Sequence, residues 1–228
     1  MKEHSLRQKL AAEFLGSMIL VVAAISPMIL FPAVFGSSID IALIANAIAV
    51  AFVLCTLIEI FGPISGAHFN PVVTVVMVLE KKVKSAEAVL FVLFQVIGGV
   101  AGTILSHLMF LDVVEDLLAV SDNRRSGYIY FGEIVGTFIL VFTIMMLVKA
   151  KSTKIPITVG LLVGGLALAT SSTMFANPQV TIARIFTNSI AGIHPIDGLI
   201  FIAMQLIGAL LAYGVYKGLF TTSSPLPM

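Results

Sequence analysis

Six long apolar stretches constrain this chain more than any other feature. They lie near residues 9–34, 41–61, 86–111, 128–148, 156–173 and 197–219. A helix needs about 20 mainly apolar residues to cross a hydrocarbon core about 30 Å thick, whereas membrane strands are short and alternate in polarity. With 59% hydrophobic and only 11% charged residues, the chain has too little charge to cover a soluble surface. The sequence therefore predicts an all-α membrane protein with six transmembrane helices.

The basic residues predict which side of the membrane each loop faces. Cytoplasmic loops carry an excess of Lys and Arg. With the N-terminus inside, ten of the 13 basic residues, Lys2 among them, fall on the cytoplasmic side, and only Arg124, Arg125 and Arg184 fall outside. We therefore expect a multi-pass protein of the cytoplasmic membrane with both termini in the cytoplasm. A formal net charge of +1 gives no sign of a nucleic-acid partner.

The two halves of the chain repeat one another. AEFLGSMILVV at residues 12–22 resembles GEIVGTFILVF at residues 132–142, and FQVIGGVAG at residues 94–102 resembles MQLIGALLA at residues 204–212. Each half, residues 1–125 and residues 126–228, contains three predicted spans, and an odd number of spans gives the halves opposite orientations. Inverted repeats usually place the functional pathway at their shared interface, near the bilayer midplane.

An Asn-Pro pair lies between two spans in each half, at Asn70-Pro71 and at Asn177-Pro178. Asn is a favourable helix N-cap and Pro suits the first helical position, so both pairs predict helix starts. The apolar runs that follow, near 70–80 and 177–188, are too short to span the bilayer. About ten residues give roughly 15 Å of helix, which is half the membrane.

Two such half-helices that meet at the midplane would face each other with their N-termini. Their positive dipole ends would repel a cation, while their free N–H groups would donate hydrogen bonds to a neutral polar molecule. The small and polar residues before each Asn predict irregular backbone, which is tolerated at membrane depth only if it is buried or lines a wet cavity. Ordinary surface loops would explain one Asn-Pro pair, but two at matching places of a repeat make that alternative weak.

These motifs resemble those of the aquaporins and aquaglyceroporins, the major intrinsic proteins. The resemblance covers nearly the whole chain and includes Ala12-Glu13-Phe14, SGAHFNPVVT at residues 65–74, the second Asn-Pro box, Gln95, Gly98 and Glu133. It implies six transmembrane helices plus two re-entrant half-helices, and a homotetramer with one pore in each subunit. It also implies a pore centre at Asn70 and Asn177. The carbonyls of two pore loops would form a ladder of acceptors: Gly66, Ala67, His68, Met174, Phe175 and Ala176.

Glu13 and Glu133 are acidic residues within predicted spans, where a charge costs about 2.5 to 3.5 kcal/mol on insertion scales. The resemblance implies that each accepts hydrogen bonds from the backbone of a pore loop. Because both lie early in their spans, the alternative is a solvated carboxylate at the interface. His68 has no partner at metal-ligand spacing, so we interpret it as pore wall, and we expect neither metal nor cofactor.

The outer constriction departs from the family pattern. The second box of the family usually reads Asn-Pro-Ala-Arg, whereas here Gln179 and Val180 occupy the last two places. The same alignment, made without a gap, gives Val50, Gly165 and Met174 as the other filter residues. The filter is therefore expected to be uncharged and largely apolar. Val also replaces Arg in a bacterial branch associated with arsenic resistance, which the string ANPQVTIAR resembles.

Two polar residues near this filter leave alternatives open. Arg184 follows Val180 by four residues, one helical turn outward on about the same face. We expect Arg184 in the outer vestibule, where it either replaces the missing filter Arg or pairs with an outer loop. Gln179 either narrows the pore or adds a hydrogen bond.

The sequence predicts a passive channel for small uncharged solutes across the lipid bilayer. Glycerol-like polyols or undissociated metalloid acids such as arsenite would pass with some water, while ions and protons would be excluded. A water-selective aquaporin is the first alternative. An ion-coupled secondary transporter is more distant, since it normally needs an ion site at mid-membrane. A membrane enzyme ranks last, because no set of nucleophile, base and orienting group is visible.

Overall fold

The computed structural model of the protein describes residues 4–221, so Lys2 lies outside the described residues. The long helices are α1 (Leu6–Ile25), α2 (Ile39–Ser65), α4 (Ser85–Leu108), α5 (Tyr128–Lys149), α6 (Ile155–Ala169) and α8 (Pro195–Phe220). Two short helices, α3 (Pro71–Leu79) and α7 (Pro178–Ile185), begin at the two Asn-Pro pairs. α1 and α8 place the two ends of the described chain on one face, which we call the terminal face. The other is the opposite face.

Five helices of residues 4–221 are long and apolar enough to cross a membrane, and one of them is α1 with its continuation to Val34. The predicted fifth span is shorter than expected, because α6 has 15 residues and ends at Ala169. The side chains from Thr170 to Thr173 are all hydroxyls, which bond to nearby backbone and compete with helix. This stretch leads into α7 instead. The protein is a multi-pass membrane protein.

A proline interrupts the first span near the opposite face. Pro27 has no N–H, so the carbonyl of Ala23 loses its helical partner. The side-chain amide of Asn46 on α2 replaces that partner, and donates to the carbonyls of Ala23 and Ala24 at 3.2 and 2.9 Å. The chain then continues through one helical turn and a short π-helical segment to Val34. The break therefore fixes the position of a polar side chain on α2.

The two halves pack their helices in the same pattern. In the first half α1 contacts α2 and α4, and in the second half α5 contacts α6 and α8. Gly98 of α4 lies against the carbonyl of Phe14, and Gly208 of α8 lies against the carbonyl of Ile134. A Cβ atom at either glycine would come within 2.4 or 2.5 Å of that oxygen. These small residues let the paired helices approach closely.

The segment that joins the halves, residues 109–127, folds over the end of α7 on the opposite face. The side-chain amide of Asn123 donates to the carbonyl of Ser189 at 2.7 Å. Arg124 pairs at 3.1 Å with Asp197, whose side chain is fully buried at the start of α8. These contacts give the opposite face an ordered rim beside the C-terminal end of α7.

Candidate solute pathway

The two short helices meet at their N-termini. Asn70 and Asn177 cap them, and each side-chain oxygen accepts from an N–H of its own first turn at 3.1 Å. The amide nitrogens reach across to the other half. Asn70 donates to the carbonyl of Ala176 at 2.8 Å, and Asn177 donates to the carbonyl of Phe69 at 2.9 Å. Two crossed hydrogen bonds thus fix the two halves relative to each other at one point.

Each of these Asn side chains has a second N–H that is available to the cavity. A side-chain amide nitrogen carries two N–H donors, and the crossed bond uses one of them. Asn70 and Asn177 both line a cavity of about 560 Å³, which extends from Lys82 near the terminal face to Arg184 near the opposite face. Two donors and two positive helix ends therefore meet midway along one cavity.

The segments before the two Asn residues, which we call the first pore loop (residues 66–69) and the second pore loop (residues 170–176), share an irregular backbone. Ala67 and Phe69 have φ angles of 49° and 47°, and the matching Met174 and Ala176 have 43° and 45°. Such left-handed conformations cost non-glycine residues about 1 to 3 kcal/mol each. Successive N–H groups in alternating conformations point to one side, where they can surround an anion.

A buried carboxylate supplies that anion for each loop. Glu13 accepts the N–H groups of His68 and Phe69 at 3.0 and 2.8 Å. Glu133 accepts the two matching N–H groups of the second pore loop at 2.9 and 2.8 Å. A Gln amide from α4 or α8 adds a donor to each carboxylate, at 2.7 and 2.6 Å. Both carboxylates are fully buried, which excludes a solvated position at the interface.

Five of the six residues of the predicted acceptor ladder line the cavity. The predicted residues along the cavity are Gly66, Ala67, His68, Met174 and Phe175. Ala176 is not among the cavity residues, and its carbonyl accepts the Asn70 amide. Thr173 lines the cavity in its place. Phe69, which matches Ala176 in the first pore loop, lines the cavity and accepts the Asn177 amide.

Three of the four predicted filter residues line the cavity: Val50, Met174 and Val180. Gly165 does not, since it lies on the exposed side of α6, and no atom lies within 4 Å of where its Cβ would be. Val163 and Ala167 line the cavity instead. Residues four apart share one helix face, so Val163 and Ala167 mark the face of α6 that lines the cavity.

Arg184 is a cationic residue at the end of the cavity near the opposite face. Its side chain is 6% exposed, and its guanidinium carbon lies 3.7 Å from the centre of the Phe175 ring. Nε donates to the carbonyl of Ala191, in the loop that follows α7. Within residues 4–221 no carboxylate forms an ion pair with it. Arg184 thus lines the cavity and is also bonded to the loop that follows α7.

Gln179 does not line the cavity. It is fully buried, and its Nε2 donates to the carbonyl of Phe69 at 3.2 Å. Its Oε1 occupies the space over Gly99, where a Cβ atom would lie 2.2 Å from that oxygen. The corresponding residues of the other half are Val72 and Ala209. Gln179 thus adds a hydrogen bond between the halves and lies outside the cavity wall.

Asn46 is a cavity residue that the sequence analysis missed. It lies one turn before Val50 on α2 and lines the same cavity. The available signal was an amide in the middle of an apolar span, four residues from a filter position.

His68 also lies along the cavity, with Nδ1 3.0 Å from the Thr74 hydroxyl. Within the described residues, no group of three or more His, Cys, Asp or Glu is placed to hold a metal ion.

Comparisons with known proteins bear on this geometry. The family model described as "Major intrinsic protein" matches residues 1–174. Aquaglyceroporin AqpS of Rhizobium meliloti (strain 1021) is 38% identical over 229 residues, which cover 99% of this chain and 96% of the relative. Aquaporin-4 of Homo sapiens is 27% identical, over 92% of this chain and 66% of that protein.

A solved structure shows the same fold. The X-ray structure of the aquaglyceroporin from Plasmodium falciparum superposes with a TM-score of 0.73 at 17% sequence identity, over 95% of this chain and 98% of that chain. This likeness confirms the predicted all-α membrane fold. The family match and the Rhizobium relative confirm the resemblance that the Asn-Pro boxes indicate, and the chain belongs to the major intrinsic protein family.

Proposed function

We propose that the protein is a passive channel for small uncharged solutes. Glycerol-like polyols or undissociated metalloid acids pass with some water, while ions and protons are excluded. One observation carries the proposal: a single cavity contains two opposed helix N-termini, the amides of Asn70 and Asn177, and an uncharged filter. The name of the Rhizobium relative, an aquaglyceroporin, supports the same solute class.

Charge exclusion follows from the pore centre. Each helix N-terminus is equivalent to roughly half a positive charge, so a cation meets two of them at the point where it has lost most of its water. A neutral polyol meets the two Asn donors and the carbonyls of the pore loops, which replace its hydrogen bonds to water.

The filter residues Val50 and Val180, which we call the apolar ring, favour solutes that have CH groups. Val50 and Val180 offer no hydrogen bond, so a water molecule beside them loses partners. A polyol can place its CH groups there while its hydroxyls bond to polar groups above and below. This is the reason to place polyols ahead of the water-selective alternative.

Stopped-flow light scattering on proteoliposomes tests the proposal. An inward glycerol gradient is applied, with protein-free vesicles and a shrinkage assay for water as controls. We expect fast shrinkage followed by rapid re-swelling as glycerol enters. Fast shrinkage without re-swelling contradicts the polyol proposal and favours a water-selective channel. Saturable flux that a protonophore abolishes contradicts passive transport.

The assembly is proposed on the same basis. We place the protein in the cell membrane with both termini in the cytoplasm, as a homotetramer with one pore in each subunit. The excess of basic residues on the terminal face supports the orientation. Light scattering of the detergent-solubilised protein measures the number of subunits, and protease access to a C-terminal tag in sealed cells tests the orientation.

A further inference from the structure

The polar residues near the outer end of the cavity lie one helical turn outside its apolar ring, on two separate helices. α2 runs inward from the opposite face, so Asn46 lies outward of Val50. α7 begins at the pore centre and runs outward, so Arg184 lies outward of Val180. Four residues correspond to about 6 Å along a helix. The same displacement on both helices points to a common function.

Arg184 has more donors than the protein satisfies. A guanidinium carries five N–H donors, and one of them, on Nε, bonds to Ala191. The face of the Phe175 ring lies beneath the charge. A buried polar group without a partner is costly, and Arg184 is 6% exposed in the cavity wall. Its terminal N–H groups are therefore available to whatever occupies the cavity.

Asn46 supplies the complementary group. Both N–H groups of its amide are directed to carbonyls of α1 that the Pro27 break leaves free, Ala23 and Ala24. These two bonds fix the orientation of the amide. The oxygen Oδ1 accepts no hydrogen bond within residues 4–221 and is left as an acceptor on a residue that lines the cavity.

We infer that Arg184 and Asn46 form a displaced polar filter that selects solutes by their hydroxyl groups before they enter the apolar ring. A hydroxyl both donates and accepts, so it can bond to the guanidinium and to the amide oxygen in turn. The solute class is a neutral molecule with several hydroxyls, either a polyol or an undissociated hydroxy acid. This inference rests on the proposed function, and it assigns to two named residues a selectivity that Val180 cannot provide.

The test compares two solutes of similar size in proteoliposomes, glycerol with three hydroxyls and 1,3-propanediol with two. Flux through protein-free vesicles is subtracted for each. In Arg184→Leu we expect the ratio of glycerol to 1,3-propanediol flux to fall about five-fold, which corresponds to one lost hydrogen bond. In Asn46→Ser we expect a fall of about two-fold. The exposed Arg7→Gln removes the same charge on the terminal face and should leave the ratio unchanged.

Water flux measured in the same vesicles reports folding of each variant. If Arg184→Leu does not fold, Arg184→Lys keeps a cation but loses the planar fork, and an intermediate ratio is expected. Wild-type ratios in both the Arg184 and the Asn46 variants, with normal water flux, overturn the inference. Failure of the wild-type protein to conduct either solute is a different result, and it overturns the proposed function.

Discussion

The first and second pore loops have the same backbone but different neighbours. Both contain left-handed residues one and three places before the Asn, and both are held by a buried Glu. Two places after the Asn, however, the first half has Val72 and the second has Gln179. α4 accommodates the larger side chain with Gly99, where α8 has Ala209.

The difference shows which parts of the repeat must stay symmetric. The two helix N-termini can meet only if both loops have the same path, so the groups that hold the loop backbone are duplicated. The side chains around the loop backbone can differ between the halves when a neighbouring side chain changes in size to compensate. As a result, the carbonyl of Phe69 accepts from both Asn177 and Gln179, while that of Ala176 accepts from Asn70 alone.

The largest effect should follow removal of a loop carboxylate. Glu133→Leu leaves two backbone N–H groups and a Gln amide without an acceptor, which should lower the free energy of unfolding by about 3 to 5 kcal/mol. Glu13→Leu should cost a similar amount, since Glu13 is held in the same way and also accepts from the Ser65 hydroxyl at 2.6 Å. Thermal unfolding in detergent measures both variants, with Glu→Gln at each site as the isosteric control. Equal melting temperatures for Glu133→Leu and wild type would contradict this account of the loops.

The next effect concerns charge at the pore centre. Asn177→Asp places an acid where two helix N-termini meet, and it removes the donor to Phe69. We expect solute flux to fall and cation leak to rise, each by about ten-fold or more, because the carboxylate offsets the positive helix ends. Proteoliposome flux with a cation-sensitive dye measures both. Asn70→Asp, its counterpart in the first half, should behave alike, and unchanged flux and charge exclusion in both variants would contradict the central constriction.

A smaller effect should follow from making α4 resemble α8. Gly99→Ala places a methyl group 2.2 Å from Oε1 of Gln179, and the resulting displacement should cost about 1 to 3 kcal/mol. Adding Gln179→Val removes the clash and should restore most of the loss. The four melting temperatures of this double-mutant cycle give the coupling between the two sites. Additive changes would mean that the two differences between the halves are unrelated.

The smallest effect is expected for Gln179→Val alone. The variant loses the bond to Phe69, but it also removes Oε1, which has no partner within residues 4–221. These contributions oppose each other, so the change in unfolding free energy should stay within about 1 kcal/mol. Because Gln179 lies outside the cavity, glycerol flux should match that of wild type. A faster flux would show that Gln179 narrows the pore after all.

The spans and half-helix starts could be predicted because their causes are local. An apolar run of about 20 residues or an Asn-Pro cap needs no knowledge of distant residues. The face of α6 that lines the cavity, with Val163 and Ala167, could not be predicted, because no local pattern states which side of a helix faces its neighbours. The position of Gln179 depends on the space that Gly99 leaves on another helix. The position of the Asn46 amide depends on the break in α1. These relations arise only when the elements pack.

The crossed bonds of the two Asn caps have a consequence for biogenesis. Asn70 is synthesised more than a hundred residues before Ala176, the residue that receives its amide hydrogen. When the first half is made, the acceptor of the Asn70 amide and the second half of the constriction are therefore still missing. The permeation path can close around its centre only after Ala176 and Asn177 have been made. A product truncated before Ala176 would lack the complete pore centre, so we expect it not to conduct solutes.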